Sequence, residues 1–213
     1  FFHIPENKIE VIYQGCNPLF YEQKSEDEIN KCLKKHKIPD TYILSVGTLE
    51  RRKNALHVLE GLKNSGLNIP VVFVGKPTNY LKILEEYIQK NNMKNQVIFR
   101  HNIPTNDLPA IYQAAKIFIY PSLFEGFGIP ILEALNSGTP VITNKYGCFM
   151  EAGGKAANYV NPNHPEEIGA SIREIIQQPE IAKKMKKTGL DYAQNFTQEK
   201  IAKQLINMYK SLI

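Results

Sequence analysis

Short runs dominated by Val, Ile, Phe and Tyr recur along the chain, at residues 9–13, 42–46, 71–74, 96–99, 116–120, 140–143 and 156–160. Most are nearly continuous in hydrophobicity and too short for a helix, the pattern of strands buried on both faces. Between them apolar positions recur every three or four residues, most clearly over 54–64, 80–90, 107–115 and 131–136. That is the period of a helix with one buried face. Strand and helix alternating at this rhythm predict a doubly wound α/β domain of Rossmann type, a parallel sheet with helices on both faces.

The two ends follow another pattern. Residues 1–20 carry one candidate strand and then Gln14-Gly15-Cys16-Asn17-Pro18, a turn-forming stretch that reads as a connection. Beyond Pro165 the periodicity is helical, broken near Pro179 and again at Asn195-Phe196-Thr197. In the last helix, 198–212, Ile201, Leu205, Met208, Tyr209 and Leu212 fall on one face, so that stripe needs a surface to cover it. The chain thus divides into a linker with a first strand (1–20), a Rossmann-like domain (21–195) and a C-terminal helix (196–213).

Composition acts mainly by exclusion. With 43% apolar and 22% charged positions among 213 residues, the chain can bury a core and is not disordered. No apolar run approaches the roughly 18 residues of a membrane helix, and no segment reads as a secretory signal. Cys16, Cys32 and Cys148 lie far apart, with no Cys-x-x-Cys pair, which argues against a zinc ribbon or disulfide scaffold and for a reducing, cytoplasmic setting. The net charge is +5, yet Arg51, Arg52, Arg100 and Arg173 are the only arginines among 26 basic residues, so nucleic-acid recognition is not expected. The basic clusters at 31–37 and 183–187 read as solvated helix faces. A sharper alternative is peripheral attraction to an anionic membrane surface, at the inner face of the cell membrane.

In open α/β sheets ligands bind beyond the carboxyl ends of the strands, so the loops there are the place to look for chemistry. Gly47-Thr48-Leu49-Glu50-Arg51-Arg52-Lys53-Asn54 follows the second run. It is either a solvated surface loop or an anion site in which Arg52 and Lys53 neutralise a phosphate. Neither Gly-x-Gly-x-x-Gly nor Gly-x4-Gly-Lys-Ser/Thr occurs, which sets dinucleotide and P-loop chemistry aside. The strongest signal is PSLFEGFGIPILEALNSGTPVI, residues 121–142. There Gly126 and Gly128 let the backbone approach a ligand, and Pro130 opens a helix whose free N–H groups and dipole face the glycine loop. Glu125 and Glu133 lie eight residues apart in that stretch. Ionised carboxylates only accept hydrogen bonds, and sugar hydroxyls donate them; the plainer alternative is that Glu133 merely serves the helix.

These residues carry a resemblance. EGFGIPILEA is similar to the Glu-x7-Glu signature of retaining nucleotide-sugar glycosyltransferases, family 4 (glycosyl transferases group 1), of GT-B fold. KIEVIYQGCN resembles the interdomain segment, GTLERRKN the phosphate-binding loop, and DLPAIYQAAKIFIYPS the approach to the signature, while Glu151 fits the acidic position after the next strand. The look is closest to bacterial mannosyltransferase-like members of polysaccharide biosynthesis. The resemblance covers the C-terminal, donor-binding half of the GT-B fold. It implies transfer of a hexose from a nucleoside-diphosphate sugar, with retention, to a glycan or lipid-linked acceptor held by an N-terminal domain that also carries the usual catalytic-site His. This half by itself is therefore expected to be inactive.

It also implies roles. Glu125 contacts the donor sugar and favours positive charge at its anomeric carbon, and Glu133 binds the ribose. The N–H groups of Ile129 and Ile131, within the loop of Gly126, Phe127 and Gly128, hold the diphosphate. Gly47, Thr48, Arg52 and Lys53 form the phosphate loop, with Thr48 standing where many members have Arg; His101 lies near the base. No Asp-x-Asp exists among Asp27, Asp40, Asp107 and Asp191, so neither a metal nor a cofactor is expected beyond the donor itself. The histidines His3, His36, His57, His101 and His164 show no ligand spacing. Two other readings keep the same architecture: a nucleotide-sugar epimerase, for which catalytic acids are not evident, and a flavodoxin-like binding module, which would want an Asp at a strand end.

Overall fold

The computed structural model describes residues 4–212; His3 lies outside them. Six strands form one parallel sheet: β1 (Ile43–Val46), β2 (Val71–Val74), β3 (Val97–Arg100), β4 (Ile117–Tyr120), β5 (Val141–Asn144) and β6 (Ala157–Val160), in the order β3-β2-β1-β4-β5-β6. The order reverses direction between β1 and β4, where the crevice for a ligand opens in such sheets. Successive side chains alternate between two cores. Ile43, Val71, Phe73, Ile117, Ile119 and Ile142 meet α2 (Ala55–Ser65), α3 (Leu81–Lys90) and α7 (Pro165–Gln177) on one face. Leu44, Val72, Phe118, Tyr120 and Val141 meet α1 (Glu26–Lys35), α4 (Leu108–Ala114) and α5 (Ile129–Asn136) on the other. Each such aliphatic side chain stabilises by roughly 1.5–3 kcal/mol on burial.

α2 and α7 pack backbone to backbone. A Cβ on Gly169 would sit 2.7 Å from the Gly61 carbonyl oxygen, and one on Gly61 would sit 2.6 Å from Ile168 Cγ2. The short α6 (Phe149–Gly153) follows β5, α8 (Pro179–Ala193) packs on α5, and α9 (Gln198–Ser211) ends the chain. No helix among the described residues is long and apolar enough to cross a membrane.

The strand expected at 9–13 does not form. That segment is extended, with Ile9 56% and Val11 66% exposed, and it pairs with no strand of the sheet. Its apolar residues have the composition of a strand but no neighbouring edge to join. Residues 13–16 instead lie against the turn before α9: Cys16 N–H donates to the Phe196 carbonyl, and Tyr13 stacks on Phe127 and packs edge-on against Phe196. α1 lies where the basic cluster reads as a helix face, and it begins with a capping box, Ser25 and Glu28 each serving the other's backbone.

α9 keeps its predicted span but not a cover. None of its residues is buried; Leu205 is 37%, Tyr209 56% and Leu212 77% exposed. Met208 and Leu212 share a groove with Ile4 and Ile9.

Candidate active site

The loops after β1 and β4 are stitched together at the switch point. Leu123 N–H donates to the Arg52 carbonyl at 2.9 Å, Ser122 Oγ lies 3.1 Å from the same oxygen, and Arg52 Nη1 donates to the Phe124 carbonyl at 2.5 Å. Residues Arg51–Lys53 form a single 3-10 turn, and Asn54, held in the left-handed region at φ 62°, starts α2. Its buried amide donates to the Pro162 carbonyl at 2.6 Å. Thr143 Oγ1 and Asn144 Nδ2 brace the β4 end from β5 by donating to the carbonyls of Tyr120 and Ser122. The sequence thus places Arg52 and Lys53 facing Glu125 across about 70 residues of chain.

Glu125 Oε1 accepts from Lys53 Nζ at 2.6 Å, from Ser122 Oγ at 2.7 Å and from the Tyr120 hydroxyl at 2.9 Å, with the Arg52 guanidinium at 2.7 Å. Burial alone would raise its pKa; the hydrogen bonds from Lys53, Ser122, Arg52 and Tyr120 outweigh it and hold the carboxyl below the usual range. Glu133, further along α5, has a different setting. Its Oε2 accepts only the Tyr112 hydroxyl, at 2.8 Å, and burial pushes its pKa up against that bond. The two carboxylates therefore do not share a cavity.

Glu125, Lys53 and Tyr120 line a cavity of about 580 Å³ with Gly126, Phe127, Gly128, Ile129, Cys148, Glu151 and residues 11–14 of the linker. Gly128 sits at φ 111°, a conformation closed to most side chains, and it turns the chain into α5. A Cβ on Gly126 would meet nothing within 4 Å, so that position opens onto the cavity. The Ile129 N–H has no partner among the described residues. The Ile131 N–H donates to the Gly128 carbonyl at 2.9 Å. Of the two amides expected to face a diphosphate, only Ile129 is free to do so, because the second closes the helix's first turn. Phe127 is buried within the stack formed with Tyr13 and Phe196, a packing role as much as a lining one. Glu151 faces the Tyr13 hydroxyl and raises its pKa.

A second hollow, of about 320 Å³, is lined by Gly47, Thr48, Gly75, Lys76, Asn102, Ile103 and Leu108. Its floor is backbone: a Cβ on Gly75 would fall 1.8 Å from the Gly47 carbonyl oxygen, so the chain ends of β1 and β2 meet there only because Gly75 has no side chain. His101 does not line it. The ring donates Nδ1–H to the Gly75 carbonyl at 2.6 Å, which turns it from the hollow and leaves Asn102 and Ile103 to face it.

The sequence reading also missed one cluster. Cys32, His36 and Asp107 bring their ligating atoms within 4.8 Å of one another; Cys32 and His36 are one helical turn apart, a signal visible only once α1 is placed. Asp107 Oδ2 already takes Lys35 Nζ and His36 Nε2, each at 2.7 Å, and its carbonyl takes the Cys32 thiol at 3.5 Å. Burial pushes that thiol up to about 11. The cluster is mutually satisfied and fastens α1 to the turn before α4.

The six-stranded order and the helices on both faces define a Rossmann-like domain of the GT-B type, with its polar groups gathered at the switch point. Residues 24–192 match the family described as Glycosyl transferases group 1, and the chain belongs to that family. It is 30% identical over 216 residues to "O-antigen chain mannosyltransferase B" of Escherichia coli, covering 99% of this chain and 56% of that one. Among solved structures it resembles a glycosyltransferase from Rickettsia africae (TM-score 0.89, 23% identity, 98% of this chain and 58% of the other). It also resembles Anabaena Alr3699/HepE in complex with UDP and glucose (TM-score 0.85, 23% identity, 95% and 57%). The chain spans about half the length of the curated relatives it matches.

Proposed function

We propose that this chain is the donor-binding half of a glycosyltransferase that moves a hexose from a nucleoside-diphosphate sugar, with retention, to a glycan or lipid-linked acceptor. One observation carries it: Arg52, Lys53, Glu125 and the free Ile129 N–H meet in the crevice where the sheet reverses. The cations and the Ile129 amide suit a diphosphate, and the carboxylate suits sugar hydroxyls. The backbone-floored hollow beside Thr48 suits a nucleobase, and Glu133, deeper along α5, suits the ribose diol. Stabilising the diphosphate as it leaves is the main contribution of such a site, since charge develops there in the transition state.

The relatives' greater length and the HepE complex support this reading. In it, a second domain holds the acceptor and covers the exposed stripe of α9. The three free cysteines suit a reducing cytosol, and the Lys-rich faces of α1 and α8 would serve peripheral membrane contact.

Thermal unfolding in the presence of UDP, GDP and ADP tests it without added metal. One of them should raise the Tm, because a ligand at a hundredfold excess over its Kd stabilises by about 2.7 kcal/mol. No shift with any of the three would refute the assignment. Transfer to an acceptor should be absent from these 213 residues alone, since positioning of both substrates is a large part of such a rate. Turnover at an enzymatic rate would show that the site is complete here.

A further inference from the structure

Glu125 Oε1 is over-subscribed. Lys53, Arg52, Ser122 and Tyr120 all bond it, whereas no described residue donates to Oε2. A carboxylate oxygen offers roughly two lone-pair directions, so four donors compete for about two places. Two of them are fixed: Ser122 is fully buried and Tyr120 is 3% exposed. The other two are the cations, Arg52 reaching from the rim with its side chain 40% exposed and Lys53 with its stem laid over Gly47. The carboxylate that suits the sugar thus neutralises, in this structure, the positive charges that suit a diphosphate, Lys53 outright and Arg52 together with Glu50, whose Oε1 takes Arg52 Nη2 at 2.6 Å.

We propose that Glu125 couples the two halves of the donor. Resting on the donor-site reading above, a diphosphate draws Arg52 and Lys53 from Oε1, and the freed carboxylate, still oriented by Ser122 and Tyr120, then accepts hexose hydroxyls. A diphosphate carries more charge than one carboxylate and can take the guanidinium in a bidentate grip, so it wins that competition. Once the cations leave, the carboxylate has lost its strongest partners and becomes a better acceptor for a neutral hydroxyl. Nucleotide and sugar therefore bind synergistically, and by linkage each tightens the other by the same factor.

The sign of one substitution separates this from a merely structural role. Glu125→Gln keeps the shape but removes the charge competing for Lys53 and the nearer share of that competing for Arg52, leaving Glu50 in place. A residue that only built the pocket would weaken nucleotide binding when altered; this one, by the coupling argument, strengthens it.

Calorimetry on the 213-residue chain, with UDP, GDP and ADP as probes and D-mannose or D-glucose as the added hexose, provides the test. For the nucleotide that binds, saturating hexose should tighten the wild-type Kd by about three- to fivefold, the scale of a partly exposed ion pair. Glu125→Gln should bind the nucleotide alone tighter than wild type by a similar factor and lose the response to hexose. Unchanged or weaker nucleotide binding with hexose in the wild type, which requires no variant to fold, overturns the coupling. So does a folded Gln variant with unimproved affinity. Binding without synergy overturns this proposal alone, whereas no binding of UDP, GDP or ADP overturns the donor-site reading with it.

Discussion

Two glutamates of one loop–helix unit respond to acid in opposite ways. Glu125 is held below its ordinary 4.5 by its donors against the pull of burial, so the folded state gains from its ionised form. That stabilisation is present above the unfolded pKa and disappears as pH falls through the folded one. Glu133 is pushed above 4.5 by burial, which Tyr112 offsets only in part. Its contribution is full below 4.5 and is lost as pH rises through its raised folded pKa. Thermal melts from pH 3 to 8 should therefore show Glu125→Gln losing its penalty as the solution turns acid. Glu133→Gln should gain on wild type as pH climbs past the carboxylate range. Parallel curves for the two variants would contradict the assignment of their surroundings. In nucleotide binding, Lys53→Ala should cost about tenfold or more, since a charge-assisted hydrogen bond contributes roughly 1.5–3 kcal/mol. Calorimetry with UDP and GDP measures it, and an unchanged Kd would remove Lys53 from the site.

At the level of elements, helix propensity and packing make opposing demands at Gly169. Alanine is the better helix former by about 1 kcal/mol, yet its Cβ would lie 2.7 Å from the Gly61 carbonyl oxygen, 3.0 Å from Asn64 Cβ and 3.0 Å from Ser65 N. Overpacking of this kind costs about 1–3 kcal/mol and backbone cannot give way cheaply, so Gly169→Ala should lower the urea midpoint despite its propensity. A raised midpoint would mean that α2 and α7 slide apart at little cost. The sheet itself was legible because strands buried on both faces must be apolar throughout, as Val71–Val74 shows. What the sequence hid lay in relations between elements. Residues 9–13 have the β-branched content of a strand, but whether an edge is free to receive them is a property of the whole sheet. The convergence on Glu125 joins residues some 70 positions apart, and the Ile131 amide is taken by a turn that no motif specifies. His101 reads from the sequence as lying near a base, yet its ring is tied to the Gly75 carbonyl, a bond that no motif announces.

For the molecule as a whole, α9 is the piece least tied to the rest. With none of its residues buried, ending the chain after Thr197, which keeps the buried Phe196, should shift the Tm by less than about 2 °C. In a domain of this size 1 kcal/mol corresponds to about 2–4 °C. A larger fall would mean that the helix packs on the sheet in solution. Hydrogen exchange should show the α9 amides far less protected than those of β1 and β4. Leu205→Glu with Tyr209→Glu should abolish any self-association that sedimentation detects in the intact chain. The stack of Tyr13 on Phe127, with centroids 5.1 Å apart and planes 16° from parallel, has a practical corollary. The chain contains no tryptophan, and Tyr13 lines the cavity. Placing the sole indole of the molecule there, as Tyr13→Trp, would turn the cavity wall into an optical gauge: light emitted from a single known spot would change colour as the crevice fills and loses its water.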